Sequence, residues 1–146
     1  MILINYPKPV FNIKKENGKE IILDLLRKKW IALTPEEWVR QNFIQVLIQG
    51  SNYPASLIAV EKEIMLGEMK KRFDILVYDK DHKPWMMVEC KAAAVELNEK
   101  VFDQLLRYNQ AVPVSFLIIT NGNTSYGWQK KGNELVEINS LPGITS

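Results

Sequence analysis

Three residues in the middle of the chain have the types and spacing for phosphate chemistry. Asp74 lies in the stretch RFDILVY (72–78), and Glu89 and Lys91 bracket Cys90 in MMVECKA (86–92). Both stretches read as strands joined by the polar turn Lys80-Asp81-His82-Lys83. Side chains alternate across a strand. Arg72, Asp74, Leu76 and Tyr78 are therefore expected on one face, with Phe73, Ile75 and Val77 on the other. On the next strand Met87, Glu89 and Lys91 share a face, and Val88 and Cys90 point away. A turn centred between Asp81 and His82 sets Asp74 opposite Glu89 and Arg72 opposite Lys91, at β-carbon separations of about 4.5–5.5 Å. Like charge then faces like, whereas a solvated ladder selected for stability sets acid against base. A divalent cation between the two acids explains the arrangement, because Mg²⁺ takes hard carboxylate oxygens and keeps several waters. Lys91, two residues from Glu89, could orient or deprotonate an attacking water, or stabilise charge on a phosphate. A diagonal Lys91–Asp74 ion pair is the plainer alternative. The argument depends on register, since a slip of one residue turns one acid to the other face.

The elements that must position these residues follow from pattern. Residues 9–24 read as a hairpin turned at Asn17-Gly18, with Ile21 to Leu23 as the return strand. Residues 25–33 (LLRKKWIAL) read as a basic connector. Thr34-Pro35-Glu36-Glu37 opens a helix with an N-cap, a proline at the first position and an acid at the third, and Gly50 ends it. Leu57 to Ile64, Arg72 to Tyr78 and Pro84 to Ala92 form three antiparallel strands. A helix over about Glu96 to Gln110 follows. Val114 to Thr120 is a near-continuous apolar run that suits a strand buried on both faces. Short strands around Tyr126–Gln129 and Glu134–Ile138 close the chain, and LPGITS (141–146) reads as a loose tail. The expected class is α/β: a mixed sheet flanked by helices with an appended N-terminal hairpin. The chain reads as one domain over 1–146, with 1–33 as hairpin and connector, 34–122 as core, and 123–146 as C-terminal strands and tail.

Composition narrows the chemistry. The 146 residues are 47% hydrophobic and 25% charged, an ordinary globular balance that argues against disorder. One cysteine excludes an internal disulfide and a cysteine-based zinc site. One histidine, His82, excludes a His-rich metal centre. No apolar run reaches the roughly 20 residues of a membrane span, and no signal peptide is visible, so the chain is expected in the cytoplasm. The net charge of +2, from 19 basic and 17 acidic residues, is compatible with nucleic acid without arguing for it.

Asp74 followed by Glu89-Cys90-Lys91 resembles the D…ExK signature of the PD-(D/E)xK nuclease superfamily, and the αβββαβ order is similar to its restriction-endonuclease-like core. The closer resemblance is to the N-terminal nuclease domain of type I restriction enzyme R subunits. It is carried by PEEWVRQ (35–41), VEKEI (60–64), KRFDILVYD (71–79), MMVECKA (86–92), FDQLLRYN (102–109) and FLIITNG (116–122). Phe73 stands where the superfamily's naming proline would be. No GxxxxGK[ST] phosphate loop exists, so the chain has no ATP site and no motor of its own.

The resemblance implies a Mg²⁺- or Mn²⁺-dependent deoxyribonuclease. Asp74, Glu89 and the Cys90 backbone carbonyl would hold the metal, and Lys91 would assist the water. Gln104 and Tyr108, four apart on one helical face, match a Q-x-x-x-Y element that supports the lysine or touches DNA. The plainer role for Tyr108 is packing. Glu37 either turns toward the metal, as the resemblance implies, or bonds back to the Thr34 backbone in a capping box. The capping role is the preferred one, and Glu36 competes for the family position. Arg40 and Gln41 either face the site or solvate the helix. Trp30 beside Arg27-Lys28-Lys29 could meet a DNA backbone, or the run could be a solvated connector. Arg72 joins Lys70 and Lys71 in a second basic cluster. Expected partners are DNA, other restriction or repair subunits, and a second copy of the chain, with no membrane. The rival expectation is a non-catalytic DNA- or partner-binding module on a nuclease-like fold.

Overall fold

A computed structural model of the chain describes residues 1–111 and 113–143, apart from the side chains of residues 66, 108 and 111. Asn17 and Gly18 both take left-handed backbone, which makes the expected turn between β1 (Ile13–Glu16) and β2 (Lys19–Asp24). The sequence predicts a connector after β2, but a further strand, β3 (Lys29–Ala32), follows and completes a three-stranded antiparallel sheet. The reason lies in Asp24. Its carboxylate accepts the Leu26 and Arg27 amides at 2.8 and 2.9 Å and so builds a turn without glycine or proline.

Thr34 caps α1 (Pro35–Gln45) by accepting the Glu37 amide at 3.0 Å. The helix runs on into a π-helical turn, Val46–Gly50, before the bend toward β4 (Ile58–Leu66). β5 (Met69–Tyr78) and β6 (Pro84–Cys90) complete an antiparallel meander. Helix α2 (Glu99–Ala111) then crosses over to β7 (Phe116–Thr120), which lies parallel to β6. β8 (Ser125–Lys131) and β9 (Glu134–Ile138) form a second antiparallel meander with β7. The main sheet has the order β4-β5-β6-β7-β8-β9. The expected αβββαβ core is present.

The central strands are apolar in runs because both faces are buried. Ile75, Val77, Met86, Val88, Cys90 and Ile118 pack with Val39, Phe43, Ile44 and Leu47 around α1. Leu76, Met87, Leu117 and Ile119 pack with Leu105 of α2. The expected alternation breaks at Phe73 and Asp74. Phe73 joins the α2-side cluster with Leu76 instead of sharing a face with Ile75. Opposite this point Glu61 has left-handed backbone, and the β4–β5 ladder skips the Glu61–Asp74 pair between Val60↔Ile75 and Lys62↔Phe73. The strand is therefore irregular at Asp74.

The N-terminal segment is tied to this sheet. The Ile2 amide donates to the Ser125 carbonyl at 2.8 Å, and a β-carbon on Gly127 would stand 2.7 Å from both the Ile2 and the Ile118 Cδ1. The expected loose tail is anchored as far as Pro142. Leu141 packs on the core, and the Tyr53 hydroxyl donates to the Pro142 carbonyl at 2.7 Å. Residues 144–146 of that tail lie outside the described residues. Among the described residues no helix is long and apolar enough to cross a membrane.

Candidate active site

The β5–β6 register is the one the sequence predicts, with Ile75↔Val88, Leu76↔Met87 and Val77↔Met86 in pairs. The turn itself is not symmetric about Asp81 and His82. A shift between Val77 and Tyr78 pairs Tyr78 with Pro84 and absorbs the difference. The regular pairing ends at Ile75↔Val88, one step short of the two acids. There the Asp74 side chain takes over from the ladder: its Oδ2 accepts the Cys90 amide at 2.8 Å. Asp74 and Glu89 are 9% and 6% exposed. Burial first, and then the Asp74 charge, push the Glu89 carboxyl up to about 8, with Lys91 pulling the other way. Lys91 Nζ lies 3.4 Å from Glu89 Oε1, and its amide is fixed by the Thr120 carbonyl at 2.8 Å. Asp74, Glu89 and Lys91 thus come together, but not through the expected Asp74–Glu89 cross-strand pair, which the β5–β6 ladder does not include. The Cys90 thiol points into the core, where burial raises it well above the ordinary thiol range.

The predicted Arg72–Lys91 opposition does not form. Arg72 pairs along β4 instead, with its guanidinium 2.7 Å from Glu63 and 3.2 Å from Glu61, on an exposed surface. Ladder pairing between β5 and β6 has ended before that level, so the two cations never face each other.

The sequence leaves Arg40 undecided between site and solvent, and the structure buries it at the site. One Nη donates to Glu37 at 2.6 Å. The other contacts Asp74, Glu61 and Glu36 at 2.7, 2.8 and 3.0 Å. Its Nε is buried with no partner among the described residues. Glu37 does not close the expected capping box from its side. Its carboxylate instead accepts from Arg27 Nη2 at 2.7 Å and Gln41 Nε2 at 3.0 Å. Arg27 Nε and Gln41 also donate to Asp24. A continuous charge chain thus runs Asp24–Arg27–Glu37–Arg40–Asp74, from the N-terminal sheet to the site. Glu36 is the α1 acid that senses the site: burial first, and then the Asp74 charge, raise its carboxyl, while Arg40 and Lys91 lower it.

Asp24, Arg27 and Glu61 are given no place at the site by the sequence reading, which leaves Gln41 open between site and solvent. A usable signal exists for Glu36, which is four residues before Arg40 on one helical face. Asp24 two and three residues before the amides it caps is a turn signal of the same kind. Gln104 is half-buried on α2, and its helix packs over Met87 and Leu117 through Leu105. The Tyr108 side chain lies outside the described residues.

The donor set can be tested against a metal. Among the described residues no three His, Cys, Asp or Glu side chains form a ready cage. Two buried carboxylates do adjoin, with Glu89 reluctant to ionise beside Asp74. Mg²⁺ commonly binds through one or two carboxylates and retains water, so a two-acid site is of the kind it takes. Carboxylates also outnumber cations here: Asp24, Glu36, Glu37, Glu61, Asp74 and Glu89 adjoin Arg27, Arg40, Arg72 and Lys91. The residues fit a hard divalent cation.

A family model described as the type I restriction enzyme R protein N terminus matches residues 35–142. The chain belongs to this family. It is therefore a nuclease-like domain, and the matched span contains Asp74, Glu89, Lys91, Glu36 and Arg40. Among solved structures, a DUF820 protein from Anabaena variabilis, described as a candidate nuclease, is similar at 12% identity with a TM-score of 0.49. That similarity covers 85% of this chain and 74% of the other. No curated protein matches the chain.

Proposed function

We propose that this domain is a Mg²⁺- or Mn²⁺-dependent deoxyribonuclease that hydrolyses phosphodiester bonds. The observation that supports it most is the adjacency of two buried carboxylates, Asp74 and Glu89, with the Lys91 ammonium 3.4 Å from Glu89. A divalent cation bound by Asp74, Glu89 and the Cys90 carbonyl would polarise the phosphate oxygens. Asp74 is pre-positioned for this by the Cys90 amide and by Arg40. Lys91 carries the positive charge that orients the attacking water and offsets charge developing on the phosphate. DNA is the substrate class that the restriction family suggests, and other restriction subunits are the partners it suggests.

The test is cleavage of plasmid and single-stranded DNA with Mg²⁺ or Mn²⁺, comparing wild type with Glu89→Ala and Lys91→Ala. Both variants are expected to lose activity by roughly 10²–10⁴-fold, the scale of positioned proton-transfer and charge-stabilising groups. Full activity in Lys91→Ala would remove the mechanism. Calorimetric titration with Mg²⁺ should give binding that Asp74→Asn abolishes.

One observation favours a second reading, a binding module that retains the fold without turnover. Both Asp74 oxygens are already engaged, one by Arg40 and one by the Cys90 amide. DNA binding by a folded protein that neither takes up Mg²⁺ nor cleaves would support that reading.

A further inference from the structure

A groove of about 640 Å³ runs between β3 and the β4–β5 edge of the main sheet, lined in part by Arg27, Lys29, Trp30, Glu61 and Arg72. Trp30 is 40% exposed there, a large aromatic left open to solvent. The Lys14 ammonium from β1 sits 4.3 Å from the centre of its ring. Lys29 is exposed beside it, and the Arg72 guanidinium is exposed on the facing side. Cations and a solvent-exposed indole, covered only by a surface lysine side chain, are the two components of a single-strand platform: charge tracks the phosphates, and a base stacks on the ring. The groove also leads to the site. Glu61, one of its walls, accepts from Arg40 at 2.8 Å, and the same Arg40 nitrogen donates to Asp74 at 2.7 Å. Arg27, another wall, donates to Glu37. Glu61 is the acid that would repel a phosphate, and it is neutralised from two sides, by Arg40 and Arg72.

We infer that this groove binds a single-stranded DNA segment, with one unpaired base stacked on Trp30 in place of the Lys14 ammonium, which swings from the ring to a flanking phosphate while Lys29 meets the next. The inference names the substrate class of the proposed nuclease. It rests on that reading for DNA as the ligand and not for the cleavage chemistry. A paired base hides both its faces in the duplex, so stacking on Trp30 selects an unpaired one. The N-terminal sheet, all of it outside the family match, thereby becomes part of the substrate-binding surface.

The experiment is fluorescence anisotropy of a labelled oligothymidylate and of a labelled hairpin duplex. Both are titrated with the full chain in EDTA, so that cleavage plays no part. Wild type is expected to favour the single strand. Trp30→Ala should weaken that binding by about 5- to 150-fold, the range for loss of one stacked base. Trp30→Phe should retain most of it, which separates stacking from misfolding. Lys29→Glu should weaken binding and lower the slope of log affinity against log salt by roughly one. Lys83→Glu, in the turn at the far end of β5, should match wild type. Wild-type affinity in both Trp30 variants, preference for the duplex, or no binding by folded wild type would each overturn the inference. Trp30-dependent binding without any cleavage in Mg²⁺ would leave the groove standing and remove the nuclease reading. Cleavage with Trp30-independent binding would do the reverse.

Discussion

Glu89 holds its proton more tightly than a free carboxylic acid because burial and the Asp74 charge both oppose ionisation. The unfolded chain ionises this group near its ordinary 4.5, and the folded chain near 8. Between those values the folded state binds more protons than the unfolded one. Its stability therefore falls as pH rises, by up to about 1.4 kcal/mol per pH unit from this group. Glu89→Gln keeps a neutral side chain and should flatten that slope in urea melts between about pH 5.5 and 7.5. An equal decline in wild type and variant would contradict the assignment. The same shift makes Mg²⁺ uptake at neutral pH a proton-releasing event, so its calorimetric enthalpy should change with the ionisation heat of the buffer. A buffer-independent enthalpy would mean that Glu89 is already ionised or takes no part. At this scale the sequence was informative about Asp74, Glu89 and Lys91, because alternation and register carry them. It left Arg40 open between site and solvent, and it was uninformative about Glu61 and Asp24. Their meeting depends on three separate elements converging, which no local spacing records.

Among the elements, α1 was the most legible, because Thr34 and Pro35 mark its start chemically. Thr34→Ala should cost about 1 kcal/mol in chemical denaturation. The change also frees the Glu37 amide, so a loss near zero would mean that water replaces the cap. β3 was hidden for a physical reason. Its residues are largely exposed, so no apolar alternation marks it, and its turn is closed by the Asp24 side chain in place of a glycine. The irregularity at Asp74 had no signal either, since a glutamate at position 61 does not announce a left-handed backbone. β8 contains the clearest steric demand. Gly127→Ala would drive a methyl group into Ile2 and Ile118, and a destabilisation of about 1–3 kcal/mol is expected from thermal or urea melts. An unchanged midpoint would show that the two isoleucines can turn aside.

For the whole molecule, the family match begins at residue 35, but the charge chain that reaches Asp74 begins at Asp24. Burial alone would raise the Asp24 carboxyl. The Arg27 amide and guanidinium outweigh it and hold it below the ordinary carboxylate range. That contribution is present above the unfolded value and is lost as pH falls through the folded one. Asp24→Asn should cost about 3–5 kcal/mol, the scale for breaking a buried pair from one side. It should also loosen Arg27 and Glu37, readable as faster amide exchange in β2 and at the start of α1. The overall α/β class and the αβββαβ succession of elements were legible because both meanders are local in sequence. The union of the N-terminal sheet with the site was not, being made by side chains. The main sheet itself has one parallel seam, β6 against β7, and the chain needs the whole of α2 to reach across it. Each meander can pair its strands through short turns, whereas the seam joins residues about thirty apart and carries the larger loop-closure cost. The expected order of assembly is two hairpin-built halves first and their docking second. Asp74 and Glu89 belong to the first half, but the Lys91 amide is fixed only by Thr120 of the second. A folding intermediate with the halves undocked would thus hold the acids without a fixed lysine, and pulsed hydrogen exchange should find the Lys91 amide among the last to be protected.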